Sequence, residues 1–270
     1  MENQSLAMSW EEYKLLEHPF GWKVEYWDRK ARFSPRKMGI KTCLNLDTFT
    51  LPQQTNCDPY DLRPASEAYK EQMLDAYFDA FVNSVEFCSW PIARIQESAD
   101  EDMTLYFEEK RGKPLPASVV VLELETRMLI GLALFTEKTF CEKEIVRGEV
   151  VGTKETGASL ELLFVRPPHQ RKGIGTAMLH HGIHHLIEAG YSQLFSRYHI
   201  CNHHSRQFYH KLGFQDRPTP YTLSIRLSYL KNEIWRKEKL KMMEGLDELL
   251  QEYEQIEARV EALNQADTFY

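Results

Sequence analysis

The stretch VRPPHQRKGIGTAML, residues 165–179, decides the reading of this chain. It leaves an apolar run, ASLELLFV at 158–165, passes through prolines and basic residues, and enters a helical pattern beyond two glycines. A helix N-terminus presents backbone N–H groups without partners and about half a unit of positive charge, so it favours anions. Gly173 and Gly175 carry no Cβ, which lets a bulky phosphate approach the main chain while several N–H groups converge on it. Arg171 and Lys172 add charge beside the same corner. The guest that suits this junction is a pyrophosphate.

The spacing narrows which pyrophosphate. The glycines are not followed by Lys and Ser or Thr, as a P-loop needs, and no GxGxxG with an acidic residue placed for a ribose is present. Working outward, the helix after the glycines runs to about Ala189 and stops at Gly190. YSQLFSRYHI (191–200) reads as a strand, HHSRQFYHKLG (203–213) as a short helix closed by Gly213, and YTLSIRLSYL (221–230) as an alternating final strand. Upstream, SVVVLELET and RMLIGLALF make a hairpin turning near Thr126 and Arg127, while 137–157 reads as a surface connection with some strand character. Ser66 is placed to cap a helix over 67–81, and a second helical stretch lies between Pro91 and Arg111. WKVEYW and KARFSP flank Asp28 and Arg29 as a hairpin, with IKTCLNL a third strand, giving a β-rich extension over 1–52. The turn-rich stretch 51–66 is a boundary.

Composition excludes some classes. With 33 Lys and Arg against 40 Asp and Glu, the formal charge is −7, so the overall basic footprint of a nucleic-acid binder is missing. No run approaches the roughly 20 apolar residues of a membrane span. No basic start followed by an apolar core marks a signal peptide. Five cysteines (43, 57, 88, 141 and 201) are odd in number and without ligand spacing, which fits reduced thiols. A cytoplasmic protein with no nucleic-acid or membrane partner is expected.

Gln170-Arg171-Lys172-Gly173-Ile174-Gly175, preceded by Val165-Arg166-Pro167, resembles the coenzyme A pyrophosphate loop of the GNAT superfamily of N-acetyltransferases. CNHHSRQFYHKLGF resembles the same family's later segment: an Asn (Asn202), a short helix bearing a Tyr (Tyr209), and a closing Lys211 to Phe214. LRPAS at 62–66 matches the family's opening strand and helix loosely. The resemblance covers about 58–228 and implies an α/β fold, a mixed α+β sheet of the GNAT acyl-CoA N-acyltransferase type. Its fourth and fifth strands, here ASLELLFV and YSQLFSRY, would splay to admit pantetheine. It implies acetyl-CoA as co-substrate, bound by Leu163, Phe164 and Val165, by Gln170 to Thr176, and by Asn202, Ser205 and Arg206. A backbone N–H near 163–165 would polarise the acetyl carbonyl.

Acetyl transfer to an amine needs a base, because an alkylammonium with a pKa of about 10 must lose a proton before it attacks. Glu161 is the candidate. Strict alternation would place Ser159, Glu161 and Leu163 on one face, so Ser159 could share the site. A salt-bridged strand carboxylate is the plainer reading of Glu161, and water or one of His199, His203 and His204 could serve instead. In the resemblance Tyr209 sits over the coenzyme sulfur and donates its proton to the leaving thiolate; the plainer reading is packing. A nucleophilic Cys201 is not needed for direct transfer. His180 with His184 and His181 with His185 have i,i+4 spacing that can bind zinc, but no third ligand is evident, so no metal is expected.

The tail repeats apolar residues every seven positions (Met242, Leu249, Ile256, Leu263, beside Leu246, Tyr253, Val260), so 229–264 reads as an amphipathic helix or helical hairpin. It packs on its own domain or forms a homodimer seam. The acceptor could be a small-molecule or a protein amine. A non-catalytic acyl-CoA-binding module, with the coenzyme governing how the tail engages a partner, is the rival to an enzyme.

Overall fold

The computed structural model describes residues 5–50, 60–88, 90–146, 149–217 and 219–267. Most of the expected boundary, 51–59 with Cys57, lies outside the described residues, as do the side chains of Cys141 and Leu263.

The chain opens with β1 (Ser5–Ala7), a short α1 (Trp10–Lys14) begun by a capping box between Ser9 and Glu12, β2 (Trp22–Trp27) and β3 (Lys30–Pro35). These strands form a separate sheet in the order β1-β3-β2. Asp28 and Arg29 have φ of 52° and 51°, so the expected hairpin turns through the type I′ geometry that matches strand twist.

The third strand of the extension, β4 (Gly39–Asn45), goes elsewhere. It is built into an eight-stranded sheet with β5 (Tyr60–Pro64), β6 (Lys113–Pro114), β7 (Val119–Glu123), β8 (Leu129–Val146), β9 (Glu149–Val165), β10 (Gln193–His199) and β11 (Gln215–Arg217). The order is β11-β4-β10-β9-β8-β7-β5, with β6 paired to β8. One strand of the N-terminal segment, β4, therefore belongs to the main sheet, while β1 to β3 form their own. β4 lies antiparallel between β10 and β11 because Ile40, Leu44 and Leu46 bury in the same core as Leu194 and Tyr198.

The region read as a surface connection is the distal part of a long β8–β9 hairpin, continuously paired from Gly131↔Val165 to Val146↔Glu149. Two helices cover one face of the sheet, α2 (Lys70–Phe81) and α3 (Ile92–Phe107), burying Met73, Tyr77, Ile95 and Met103 against Val120, Leu132 and Leu134. Ser66 precedes a 3₁₀ turn and its side chain caps nothing. The opposite face packs α4 (Ile174–Glu188) through Met178, Leu179 and Ile183 onto Phe135, Ala158 and Leu160. α5 (His203–Lys211) follows β10.

YTLSIRLSYL is helix, not strand. α6 (Pro220–Leu240) begins there, with Pro220 in the first turn and the Thr219 hydroxyl accepting from the Thr222 amide. The sequence carries both periods, but Thr222, Leu223, Ile225, Leu230 and Glu233 are the residues that bury, a helical stripe. α7 (Leu246–Asp267) completes a helical hairpin, held by a bidentate pair from Arg226 Nε and Nη2 to Glu252, 2.7 Å each. The same guanidinium lies over the rings of Phe20 and Tyr229, tying the N-terminal segment to α6. No helix of the described residues is long and apolar enough to cross a membrane.

Candidate active site

β9 and β10 are parallel neighbours, yet they pair only at Ala158↔Leu194 and Ser159↔Phe195. Beyond Ser159 no further register joins them, although both strands continue, to Val165 and His199. A β-bulge sits at the parting: Phe135 faces Leu160 and Leu134 faces Leu162, leaving Glu161 as the extra residue. Bulges bend a strand and re-aim its side chains. The bulge also resets the alternation. Glu161 shares the face of Ser159, but Leu163 pairs with Ala133 and turns to the α4 face, so the expected trio does not form.

A cavity of about 290 Å³ occupies the start of this wedge, lined by Ser159, Leu160 and Glu161 from β9 and by Phe195, Ser196 and Arg197 from β10. Glu161 is held within it. Its Oε2 lies 2.6 Å from Lys138 Nζ, its Oε1 accepts from the Thr136 hydroxyl at 3.2 Å, and its side chain is 10% exposed. A carboxylate has about four lone-pair sites, so two acceptances leave capacity for another proton donor. The salt-bridged form of Glu161 is thus present together with its exposure to the cavity.

Tyr209 stands behind β10. It is buried against Tyr198, Phe208 and Phe214, and its phenolic oxygen accepts from Ser196 Oγ at 3.1 Å. Ser196 also lines the cavity and approaches the Leu160 carbonyl at 3.5 Å, so one hydroxyl links the wedge to the phenol. Burial pushes the Tyr209 phenol up to about 12, partly opposed by Ser196. The phenol is therefore neutral and its own proton is not given to Ser196.

At the wide end of the wedge, where both strands finish, two helix N-termini begin. After β9 the chain turns through Arg171 (φ 63°) and Gly173 (φ 83°) into α4. Arg171, Lys172 and Gly173 are exposed; a Cβ added at Gly173 would meet nothing within 4 Å, so the corner is open to a ligand. Gln170 Nε2 donates to the Val165 carbonyl at 2.9 Å and fixes the loop to the strand end. Ile174 is buried and anchors the first turn, Thr176 is half-buried, and Gly175 backs onto Phe208 and Val165. Leu163 and Val165 are half-buried and Phe164 is buried on the α2–α3 side.

After β10, Asn202 caps α5: its Oδ1 accepts from the Ser205 amide at 2.9 Å, and its Nδ2 donates to Glu86 Oε1 at 2.5 Å. Both polar ends of Asn202 are engaged within the protein, so its observed work is capping and fastening the α2–α3 loop. Ser205 supplies the capped amide, and Arg206 is exposed beside Tyr198.

Glu86 is a residue that sequence reasoning missed. Its Oε2 is buried and has no partner among the described residues, and neither have Ser84 Oγ and Trp90 Nε1 in the same loop. Nothing in NSVEFCSW distinguishes a buried carboxylate from a surface one. Glu86 faces His199, which is half-buried, accepts from the Cys201 amide at Nδ1, and has its pKa lowered by burial against the opposing pull of Glu86. His203 and His204 are exposed on α5. Burial pushes the Cys201 thiol up to about 11, and it donates to the Gly21 carbonyl, so it is no ready nucleophile.

Of the helix histidines, His181 and His185 bring their ring centroids within 4.6 Å, while His180 is buried with Nδ1 unpartnered and His184 and His185 are exposed near Glu188. Among the described residues no group of three or more His, Cys, Asp or Glu could hold a metal. A larger cavity, about 400 Å³ between the N-terminal sheet and α6, contains none of the expected site residues.

With that geometry in place, the sequence profile of the acetyltransferase (GNAT) family matches residues 71–214. The chain belongs to the GNAT acetyltransferase family, a family of acyltransferases. Solved structures similar to this GNAT chain include a GCN5-related N-acetyltransferase from Sphaerobacter thermophilus, 13% identical, TM-score 0.43, with 66% of this chain and 48% of that one covered. An aminoglycoside antibiotic 6'-N-acetyltransferase from Acinetobacter haemolyticus is 19% identical, TM-score 0.40, covering 59% and 93%. An acetyltransferase from Trypanosoma brucei is 18% identical, TM-score 0.38, covering 59% and 95%. This GNAT chain thus spans about half the length of the Sphaerobacter protein. No curated protein matches it.

Proposed function

We propose that this GNAT protein transfers an acetyl group from acetyl-CoA directly to a primary amine within a ternary complex. The observation that carries the reading is the parting of β9 and β10 after two registers, at a bulge that presents Glu161, with an open helix N-terminus at the mouth. A parallel pair that stops pairing while both strands continue leaves main-chain polar groups of β9 facing the gap, and these suit an amide-bearing pantetheine arm. The amides of Arg171 to Thr176 receive the pyrophosphate, with Gln170 bracing the loop. Ser205 and Arg206 face the phosphoadenosine end.

In the reaction the amine nitrogen attacks the thioester carbon and the C–S bond breaks, giving an amide and a thiol. An N–H at Leu163 to Val165 polarises the carbonyl, worth about 3 kcal/mol for one such donor. Glu161 takes the amine's proton, directly or through water. Tyr209 donates to the departing sulfur. Its phenol near 12 is a weaker acid than a thiol of about 8.5, so its contribution is a hydrogen bond that strengthens as charge develops on sulfur, with solvent completing the protonation.

Incubation with acetyl-CoA and a panel of primary amines, followed by free thiol, tests this. Turnover that falls in Tyr209→Phe with coenzyme binding kept supports the enzyme. Tight coenzyme binding without turnover on any amine would instead favour an acyl-CoA-binding module. A homodimer through α7 belongs to the same proposal and is checked by sedimentation.

A further inference from the structure

A primary amine of the chain itself stands at the candidate base. Lys138 Nζ lies 2.6 Å from Glu161 Oε2, and both residues line the cavity at the start of the wedge. Strand register explains how the lysine gets there. Lys138 is two residues beyond Thr136 on β8, so the two project to one face, and the Thr136 hydroxyl bonds the other oxygen of Glu161 at 3.2 Å. Directly opposite Lys138 on β9 is Gly157, which offers no side chain. The Phe195 ring fills the space over Gly157, where an added Cβ would lie 2.7 Å from it, and the Phe140 ring packs on Phe195 with 4.1 Å between centroids. With that side closed by rings, the lysine reaches diagonally to the bulge, where Glu161 is the extra residue.

The pair is shielded without being sealed: side-chain exposure is 29% for Lys138 and 10% for Glu161. An ion pair alone would be served as well by arginine, whose guanidinium keeps its proton. Lysine differs in becoming a nucleophile once a proton is removed, and here the group that can remove it is already hydrogen-bonded to it. An external amine must give up its translational freedom to reach Glu161, whereas the fold holds Lys138 there. That difference is worth several orders of magnitude in effective concentration.

Resting on the acyl-transfer reading above, we infer that Lys138 is itself an acceptor, so that the protein acetylates its own lysine inside the wedge. Glu161 takes one proton from the Lys138 ammonium to which it is bonded. The freed nitrogen attacks the thioester carbon, a C–N bond forms, the C–S bond breaks and coenzyme A leaves as thiolate. The second proton of the nitrogen goes to the thiolate through solvent, and the first passes from Glu161 to bulk water. The product is a neutral amide. Modification therefore ends the ion pair and leaves Glu161 with the Thr136 hydroxyl.

The test is incubation of the full chain with acetyl-CoA and no added amine, followed by free thiol, intact mass and peptide mapping. A single burst of thiol is expected, with an acetyl group gained at Lys138 and a rate per chain that is unchanged on about tenfold dilution of the protein, as an intramolecular step requires. Lys23 and Lys110, with side chains 54% and 63% exposed, serve as internal controls for uncatalysed acetylation and should lag behind Lys138. K138R keeps a cation on Glu161 and is expected to stay folded and bind coenzyme A while losing the burst; E161Q should slow it by about a hundredfold or more. Acetylation of Lys138 no faster than of Lys23 and Lys110, or equally fast in the urea-unfolded chain, overturns the inference. Thiol release with added amines and an unmodified Lys138 overturns it too and leaves acetyl transfer standing. No thiol release with or without amines, with coenzyme bound, overturns both.

Discussion

Alanine at Gly173 tests the coenzyme cradle with a control built into the same helix. Gly173 precedes α4 and Gly190 follows it; both have φ of 83°, and at both an added Cβ meets nothing within 4 Å. Placing an L-residue in that region costs roughly 1–2 kcal/mol. Gly173→Ala and Gly190→Ala are therefore expected to lower Tm by similar amounts, about 2–8 °C for a protein of this size. Neither loses a packing contact. Their difference lies in the ligand: only Gly173 stands where the first-turn amides of α4 are to meet a diphosphate. Gly173→Asp adds a negative charge at that point. One unit charge about 4 Å from another, at an effective dielectric of about 20, repels by about 4 kcal/mol, close to a thousandfold in Kd. Calorimetry with coenzyme A is the assay. Gly190→Ala should bind within about twofold of the parent, Gly173→Ala about tenfold more weakly, and Gly173→Asp beyond about a hundredfold. Parent-like affinity in folded Gly173→Asp, or equal losses at the two glycines, would refute the cradle.

Tyr209→Phe should reduce kcat by about a hundredfold or more while the coenzyme Kd changes little, measured by thiol release and calorimetry; Ser196 can then keep its proton on the Leu160 carbonyl. Glu161→Gln should leave Lys138 without its partner, costing about 1–3 kcal/mol by chemical denaturation, and should depress kcat across the pH range. Since the native phenols of Tyr209 and Tyr191 are pushed up to about 12 from an ordinary value near 10, the folded state holds those protons more tightly than the unfolded chain. The contribution of these two phenols should accordingly be constant below pH 10 and be lost between about 10 and 12; denaturation curves that are unchanged across that window would contradict the burial. Arg226→Met should loosen α7 from α6, seen as earlier proteolysis of the tail, because it removes two 2.7 Å bonds to Glu252 and the contact with Phe20.

Several elements were legible because their signals are local. The loop from Gln170 to Gly175, the stop at Gly190 and the Asp28–Arg29 turn each follow from a few adjacent residues whose backbone preferences leave little choice. Residues 221–230 were misread because their apolar spacing satisfies period two and period 3.6 alike; the Thr219–Pro220 helix start was the better local signal. The bulge at Glu161 was invisible for a different reason. A one-residue insertion exists only relative to a partner strand, and β8 alone defines it.

What the amino-acid order determined by itself was the glycine-bearing turn from Gln170 into the helix at Ile174, the apolar stripes of the helices and the family to which they belong. Tertiary structure decided that β4 enters the sheet between β10 and β11, that Glu161 meets Lys138, that Asn202 fastens Glu86, and that Arg197, Lys41 and Arg217 stand in one row. Lys41 and Arg197 are neighbours only because strand pairing joins distant segments through hydrogen bonds any residue can make. Side-chain pattern limits which face a strand buries, but its partner is chosen by the packing of the whole core.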